Sequence, residues 1–237
     1  MTVASVSTPE VEYPDSDGEP MADNDTQREL MMTLRVGFSA MFERLGVEAY
    51  VSANSFWYPI EGDNRTRRAP DTYVALGRPG GERPSYRQWL EGDHPPDLVI
   101  EIVTARSQLR DYVEKFEWYD RHGAGEYLAF EPVDGSLVVA ERRGDRLTHV
   151  IAHASWISQR TGAIFEVVPR AEPTDFAAFD LVVTAPDGVR FRTPDELSAD
   201  NAALASDNAA LASDNAALAS DNARLLALLH DADIDPT

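Results

Sequence analysis

The sequence predicts a mixed α/β (α+β) fold, with a mixed central β-sheet flanked by helices, a β-rich extension and a C-terminal coiled-coil helix. Three observations support this prediction. Helical apolar patterns alternate with β-branched and aromatic runs through the first two thirds of the chain. The run 97–103 is almost continuously apolar, as in a strand that is buried on both faces. The C-terminal segment repeats a seven-residue unit.

The first helix is expected over about 26–45, because its apolar residues recur at helical spacing. Asn24 or Asp25 can cap its start, and Gly46 ends it. A second helix is expected over about 107–121. Strands are expected over 47–58, 70–76, 97–103, 126–131 and 137–142, followed by an all-β continuation over 146–192.

Composition limits the class of protein. The chain has 237 residues, of which 43% are hydrophobic, which is enough for a sizeable core. It contains no cysteine, which excludes disulfides, thiolate metal sites and a cysteine nucleophile. No signal peptide is evident, and no apolar run approaches the ~20 residues of a membrane span. We therefore expect a cytoplasmic protein with no membrane association.

The formal net charge of −20 argues against general affinity for nucleic acid. Most of this charge lies at the two ends. Residues 1–30 contain eight acidic residues and one basic residue, and residues 195–237 contain nine and one. Residues 31–194 contain 24 acidic and 19 basic residues, so this central part can still present a local cationic face.

The C-terminal repeat has leucine at every seventh position, and an asparagine falls at position a when leucine occupies position d of the heptad. Asparagine at position a favours a two-stranded coil and fixes its register, at a cost in stability. Four asparagines make a weak seam, so a homodimeric coil and a monomeric helix remain equally open. The leucines are at 197, 204, 211, 218 and 225, and the asparagines are at 201, 208, 215 and 222.

An acidic residue, Glu101, lies within the apolar strand 97–103. Burying an ionised carboxylate costs roughly several kcal/mol of free energy, unless the carboxylate is paired with a cation or binds a metal. Asp71 opens a neighbouring predicted strand, and adjacent strands lie ~4.8 Å apart, so the two carboxylates can share a divalent cation. Asp97 lies ~13 Å from Glu101 along the same strand, so it can only border such a site.

Lys115 is the only lysine in the chain, against 20 arginines. Lysine offers a compact ammonium on a flexible stem, which suits contact with one reacting oxygen. Lys115 lies at the edge of the apolar stripe that contains Tyr112 and Tyr119, on the helix that follows the Glu101 strand. An ordinary surface lysine that pairs with Asp111 or Glu114 is an equally open interpretation.

These residues resemble the PD-(D/E)XK nuclease superfamily, and in detail its Uma-type putative restriction endonuclease family. The resemblance covers residues 13–145, with a looser similarity to about 194. Each motif is weak alone, but their order and spacing are fairly specific. The matching blocks are Tyr13 to Met21, Arg68-Ala69-Pro70-Asp71, Pro96 to Glu101, Glu114-Lys115, and Gly125-Glu126-Tyr127-Leu128.

The resemblance implies a restriction-endonuclease-like core that hydrolyses DNA with Mg²⁺ or Mn²⁺. Asp71 and Glu101 would bind the metal, and the carbonyl of Ile102 would add a ligand. The usual motif has lysine two residues after the second acid, where this chain has Val103. Lys115, on the helix that follows this strand, would replace the lysine of the usual motif. Glu29 would be an accessory acid on the first helix.

Arginines near the two acidic residues are candidates for phosphate contacts. The alternative is that they are solvated loop residues, which is the commoner fate of such runs. The candidates are Arg65, Arg67 and Arg68 before Asp71, and Arg106 and Arg110 after Glu101.

The expected domain organisation is an N-terminal disordered tail (1–13), a nuclease domain (14–194), a heptad-repeat helix (195–230) and a short tail (231–237). The preferred function is that of a metal-dependent DNA endonuclease. The alternative is a catalytically inactive scaffold on the same fold, which assembles through its coil. A hydrolase of another phosphodiester would share the site but not the substrate.

Overall fold

The computed structural model describes residues 11–15, 18, 22, 24–104 and 109–231. Three α-helices and eleven strands are present in these ranges. The helices are α1 (Asp25–Leu45), α2 (Leu109–His122) and α3 (Pro194–Asp231). The strands are β1 (Ala49–Ser52), β2 (Trp57–Tyr58), β3 (Thr72–Leu76), β4 (Tyr86–Arg87), β5 (Leu98–Ile102), β6 (Glu126–Phe130), β7 (Leu137–Arg143), β8 (Arg146–Val150), β9 (Ser155–Ile157), β10 (Ile164–Thr174) and β11 (Ala177–Thr184).

The central sheet has six strands in the order β1-β3-β5-β6-β7-β8. Its β5–β6 pair is parallel and its other four pairs are antiparallel, so the sheet is mixed, as predicted. Parallel neighbours need a crossover connection, and α2 provides it between β5 and β6. The mixed α+β fold class is confirmed.

Alternating side chains of β5 pack on opposite faces of this sheet. Leu98 and Ile100 join the cluster that contains Phe38 of α1. Val99 joins the cluster that contains Tyr119 of α2. Glu101 has the same parity as Val99, so the period of the strand directs its carboxylate toward α2.

Helix α1 begins and ends with the predicted caps. The side chain of Asn24 accepts a hydrogen bond from the backbone N–H of Gln27 at 2.8 Å. Gly46 adopts a left-handed conformation with φ 66° and donates its N–H to the last carbonyls of the helix. Burial of Leu34, Phe38 and Met41 fixes the helix against the central sheet.

The single strand predicted over 47–58 is wrong. The structure has two short strands there, β1 and β2, and they belong to different sheets. Asn54 lies between them with φ 51°, a left-handed conformation that breaks an extended run. β2 instead pairs with β4 in a parallel two-stranded sheet.

The predicted N-terminal tail lies mostly outside the described residues. Its last residue, Tyr13, packs against Tyr58 and Trp89, with ring centroids 5.2 and 5.1 Å apart. The Tyr13 hydroxyl accepts a hydrogen bond from the N–H of Gly62 at 2.6 Å. These contacts attach this point of the chain to the loops beside β2.

The described residues divide into two compact units, one that ends at Arg192 and one that begins at Thr193. In the first, β9, β10 and β11 form a three-stranded antiparallel sheet, the predicted β continuation. The second unit is α3. A capping box begins this helix: the Glu196 carboxylate accepts from the Thr193 N–H, and the Thr193 hydroxyl accepts from the Glu196 N–H.

In the part of the chain that the structure describes, no helix is long and apolar enough to cross a membrane.

Candidate active site

Two buried acidic residues face each other across β3 and β5. The register pairs Thr72 with Ile100, and one further step sets Asp71 opposite Glu101. Directly opposed residues of antiparallel strands project to the same face. Asp71 is 7% exposed and Glu101 is 2% exposed. The two buried carboxylates therefore lie on the same face of the sheet, on neighbouring strands.

Asp71 is held from both sides by hydrogen-bond donors. The backbone N–H of Ile102 donates to Oδ2 at 2.6 Å. The side-chain amide of Gln27, in the first turns of α1, donates to Oδ1 at 3.0 Å. Ile102 thus contacts Asp71 through its N–H, a contact that was not predicted; the role of its carbonyl as a metal ligand stays a prediction.

Glu101 is held by two residues of α2. The Lys115 ammonium donates to Oε2 at 2.8 Å. The buried Tyr119 hydroxyl donates to Oε1. Lys115 also lies 3.6 Å from a carboxylate oxygen of Asp111. The relocated lysine therefore does reach the second acidic residue, although Val103 occupies the usual lysine position on the strand.

Burial and mutual repulsion shift the protonation of Asp71. Burial, and then the charge of Glu101, raise the pKa of Asp71 to about 7. Burial by itself would lower the pKa of Lys115, but its pairing with Glu101 outweighs this, and the pKa lies above its ordinary value. Burial, followed by the neighbouring Glu101 charge, raises the pKa of Tyr119 well above its ordinary value. Lys115 is therefore a fixed cation beside two acidic residues that repel each other.

This arrangement fits a hard divalent cation. Mg²⁺ is commonly held by one or two carboxylates and keeps several waters. Each carboxylate oxygen of Asp71 and Glu101 accepts one hydrogen bond and retains a lone pair for a ligand. Among the described residues, no group of three or more His, Cys, Asp or Glu could hold a metal, so the protein ligands would be few.

Three of the predicted arginines lie together beside the acidic pair. Arg65, Arg67 and Arg68 line an open cleft of about 550 Å³ together with Lys115 and Tyr119. We call this the arginine cleft. The guanidinium of Arg67 lies 4.7 Å from the ring centroid of Phe56, another lining residue. Such a stacked guanidinium retains donors at its edge.

Of the other two predicted arginines, only Arg110 lies within the described residues. Arg110 pairs with Glu114 at 2.7 Å on a solvent-exposed face of α2, where its side chain is 85% exposed. Arg110 does not line the cleft that contains Arg65, Arg67 and Arg68, and its contact with nucleic acid stays a prediction. Arg106 lies outside the described residues.

The two accessory acids have different surroundings. Asp97 lies at the far end of β5, where it accepts from the Leu76 N–H at 2.7 Å and lies 2.8 Å from His94 Nε2. These contacts give Asp97 a structural role in the fold. On α1, Gln27 contacts Asp71, and Glu29 lies two residues further along the helix. The 100° rotation per residue places Glu29 on another side.

The sequence reasoning missed Gln27 and Tyr119. Tyr119 belongs to an apolar stripe, and only its spacing of four residues from Lys115 hinted that both reach one carboxylate. Gln27 reaches Asp71 from 44 residues away in the chain. Nothing local in the sequence marks that contact, because tertiary packing creates it.

The chain is similar in limited extent to solved structures, one of which can be named. The crystal structure of a putative nuclease belonging to DUF820 from Anabaena variabilis aligns with a TM-score of 0.40 and 12% identity. The alignment covers 64% of this chain and 75% of that one. No curated protein matches the chain.

The family comparison is more extensive. The model of the Uma2 family, described as putative restriction endonuclease, matches residues 8–163, which is well over half of the chain. The match includes the acidic pair, Lys115, Tyr119 and the arginine cleft. The chain therefore belongs to the Uma2 family of putative restriction endonucleases.

Proposed function

We propose that the protein is a metal-dependent endonuclease that hydrolyses DNA phosphodiester bonds. The observation that carries this proposal is the convergence of Lys115, the only lysine of the chain, on a buried carboxylate opposite a second one. Membership of the Uma2 family supports a nuclease, and the site chemistry supports the finer assignment.

Asp71 and Glu101, with the Ile102 carbonyl, would hold Mg²⁺ or Mn²⁺. A metal bound there supplies Lewis-acid polarisation of the scissile phosphate and a bound water of lowered pKa. Gln27 and the Ile102 N–H hold the Asp71 carboxylate in place, and Tyr119 does the same for Glu101. These donors preorganise the site, so little reorganisation is needed when substrate arrives.

Lys115 serves as a fixed electrostatic group. Its pairing with Glu101 favours the charged ammonium. A charged ammonium has three donors and no lone pair, so it cannot take a proton from water. Lys115 instead orients the attacking water or stabilises the negative charge that develops on the phosphate.

The arginine cleft would hold the phosphates on either side of the scissile bond. It adjoins Lys115, so a strand bound there passes the ammonium. Phosphate contacts position a duplex without reading its sequence. A local cationic surface is needed because the chain as a whole carries a charge of −20.

The cleavage of supercoiled plasmid and of single-stranded DNA with Mg²⁺ or Mn²⁺ tests this proposal. We expect Glu101→Gln and Lys115→Met each to reduce the rate by at least about 100-fold, the cost of losing one group that stabilises the transition state. Arg121→Ala removes a cation at an exposed position of the same helix that does not line the arginine cleft, so it is the matched control and should leave the rate unchanged.

Absence of cleavage in the wild-type protein, or equal rates in all variants, would contradict the proposal. Circular dichroism should confirm that each variant is folded. An inactive wild-type protein would favour the alternative of a nuclease-fold scaffold. The exposed leucines of α3 are the specific observation behind that alternative, since they leave an apolar seam available for assembly.

A further inference from the structure

Lys115 separates two cavities of opposite character. The arginine cleft is on one side of this residue. A second cavity of about 300 Å³, the side pocket, lies against α2, β6 and β7. Lys115 is the only described residue that lines both cavities, and Glu101 lines the side pocket. A group in the side pocket would therefore sit directly beside the proposed catalytic centre.

The walls of the side pocket are apolar and aromatic. Tyr112 and Tyr127 line it, with ring centroids 6.1 Å apart and planes inclined at 50°. Val103 and Val138 add aliphatic surface. A lysine at position 103, where the usual motif has one, would bring a cation into this space. Because the ammonium comes from α2, the strand position is free to be apolar.

Apart from Lys115, the charged groups that line the side pocket have the wrong sign for a DNA backbone. Asp111, Glu131 and Asp134 line it, and each carries a carboxylate. These charges repel phosphate, whereas the guanidinium groups of the arginine cleft attract it. Carboxylates accept hydrogen bonds, so they favour a neutral group that carries N–H donors.

We propose that the side pocket binds a nucleobase with an exocyclic amino group, taken from the strand whose phosphate lies at Lys115. This inference rests on the proposed nuclease function and adds a base preference to it. The cavity volume, the aromatic walls and the acceptor-only carboxylates suit an unstacked base, and the amino group of cytosine donates to acidic side chains in known readout. An extruded base costs least to unstack when the strand is single or mismatched.

Homopolymers of deoxycytidine and deoxyuridine of equal length test this inference, since the two bases differ only along one edge. Cytosine has an amino donor at C4 and an acceptor at N3, where uracil has a carbonyl acceptor and an N–H donor. Fluorescence anisotropy with Ca²⁺ as the divalent ion would measure their affinities. We expect the wild-type protein to bind the deoxycytidine strand about fivefold more tightly, as for one favourable base contact.

Val138→Trp should fill the side pocket and abolish that ratio. Val113→Trp is the matched control, because Val113 is a similarly exposed valine outside the pocket, at 43% against 36% for Val138. Ser136→Trp is a second pocket-filling variant, in the turn between β6 and β7. It is used if the Val138→Trp protein does not fold.

Two binding results would overturn the inference. One is equal affinity of the wild-type protein for the two strands. Another is a ratio that survives in a folded pocket-filling variant. If the wild-type protein neither binds these strands nor cleaves plasmid, the proposed function fails as well. Cleavage of plasmid with no preference between the strands would refute the side-pocket inference alone.

Discussion

At the scale of single residues, the site buries two carboxylates and stabilises them with hydrogen-bond donors. Asp71 and Glu101 are both almost fully buried and repel each other. One ammonium, one phenol, one amide and one backbone N–H compensate for them. The remaining excess of negative charge is what a divalent cation would neutralise.

The raised pKa of Asp71 predicts how the stability of the metal-free protein depends on pH. The pKa is about 7 in the folded protein, against about 3.9 in an unfolded chain. The folded state therefore binds more protons between these values, and the free energy of unfolding falls as pH rises from about 4 to about 7. The fall is at most about 4 kcal/mol, at about 1.4 kcal/mol for each pKa unit.

Urea unfolding with a chelator present, at several pH values in this interval, measures that fall. Asp71→Asn cannot ionise, and its free energy of unfolding should depend less steeply on pH. Gln27 can rotate its amide to accept from the new side chain, so the packing is retained. Identical pH dependence of the wild-type protein and the variant would show that Asp71 titrates normally.

At the scale of elements, strand pairing and helix connection were more predictable than side-chain contacts. Asp71 and Glu101 could be matched from sequence because each lies in a predicted strand of clear pattern, 70–76 and 97–103. Lys115 could be placed because α2 directly follows β5. Tyr119 and Gln27 could not, because an aromatic in an apolar stripe and a glutamine in a first turn are ordinary in any helix.

One element shows why local patterns mislead. The β-branched and aromatic run of 47–58 looks like one strand, but the left-handed Asn54 divides it. A single residue within the run therefore decides where the first strand ends and the second begins.

Helix α3 makes a prediction about assembly. Its heptad leucines Leu204, Leu211, Leu218 and Leu225 are between 53% and 61% exposed in the single chain. We propose that a second copy covers this seam in a two-stranded coil. Sedimentation equilibrium should give a dimer for the wild-type protein and a monomer for Leu211→Glu, because a charge at position d is costly to bury.

Ser213→Glu is the control for the assembly experiment. Residue 213 lies at the outer position f when Leu211 is at d, so the same charge there should leave the dimer intact. A wild-type protein that remains monomeric across the accessible concentrations would instead identify α3 as a single helix. A Leu211→Glu protein that is still dimeric would place the interface elsewhere.

At the scale of the whole molecule, acidic and basic residues are concentrated in different parts of the chain. The two ends carry most of the −20 net charge, and the arginine cleft is a local exception beside the acidic pair. Under the proposed function, this distribution would disfavour unspecific binding of nucleic acid and would leave the arginine cleft as the place where a strand binds. The charge counts along the sequence predicted that the central part can present a cationic face. Only the fold shows that three arginines share a cleft with Lys115.

Isothermal titration of the protein with Mn²⁺ tests the central claim most directly, because it does not depend on the identity of the DNA substrate. The acidic pair predicts one Mn²⁺ bound per chain, with binding abolished in Glu101→Gln and in Asp71→Asn. Asp97→Asn, at the far end of the same strand, should bind as the wild-type protein does. No binding by the wild-type protein, or equal binding by all the variants, would contradict a metal centre at Asp71 and Glu101.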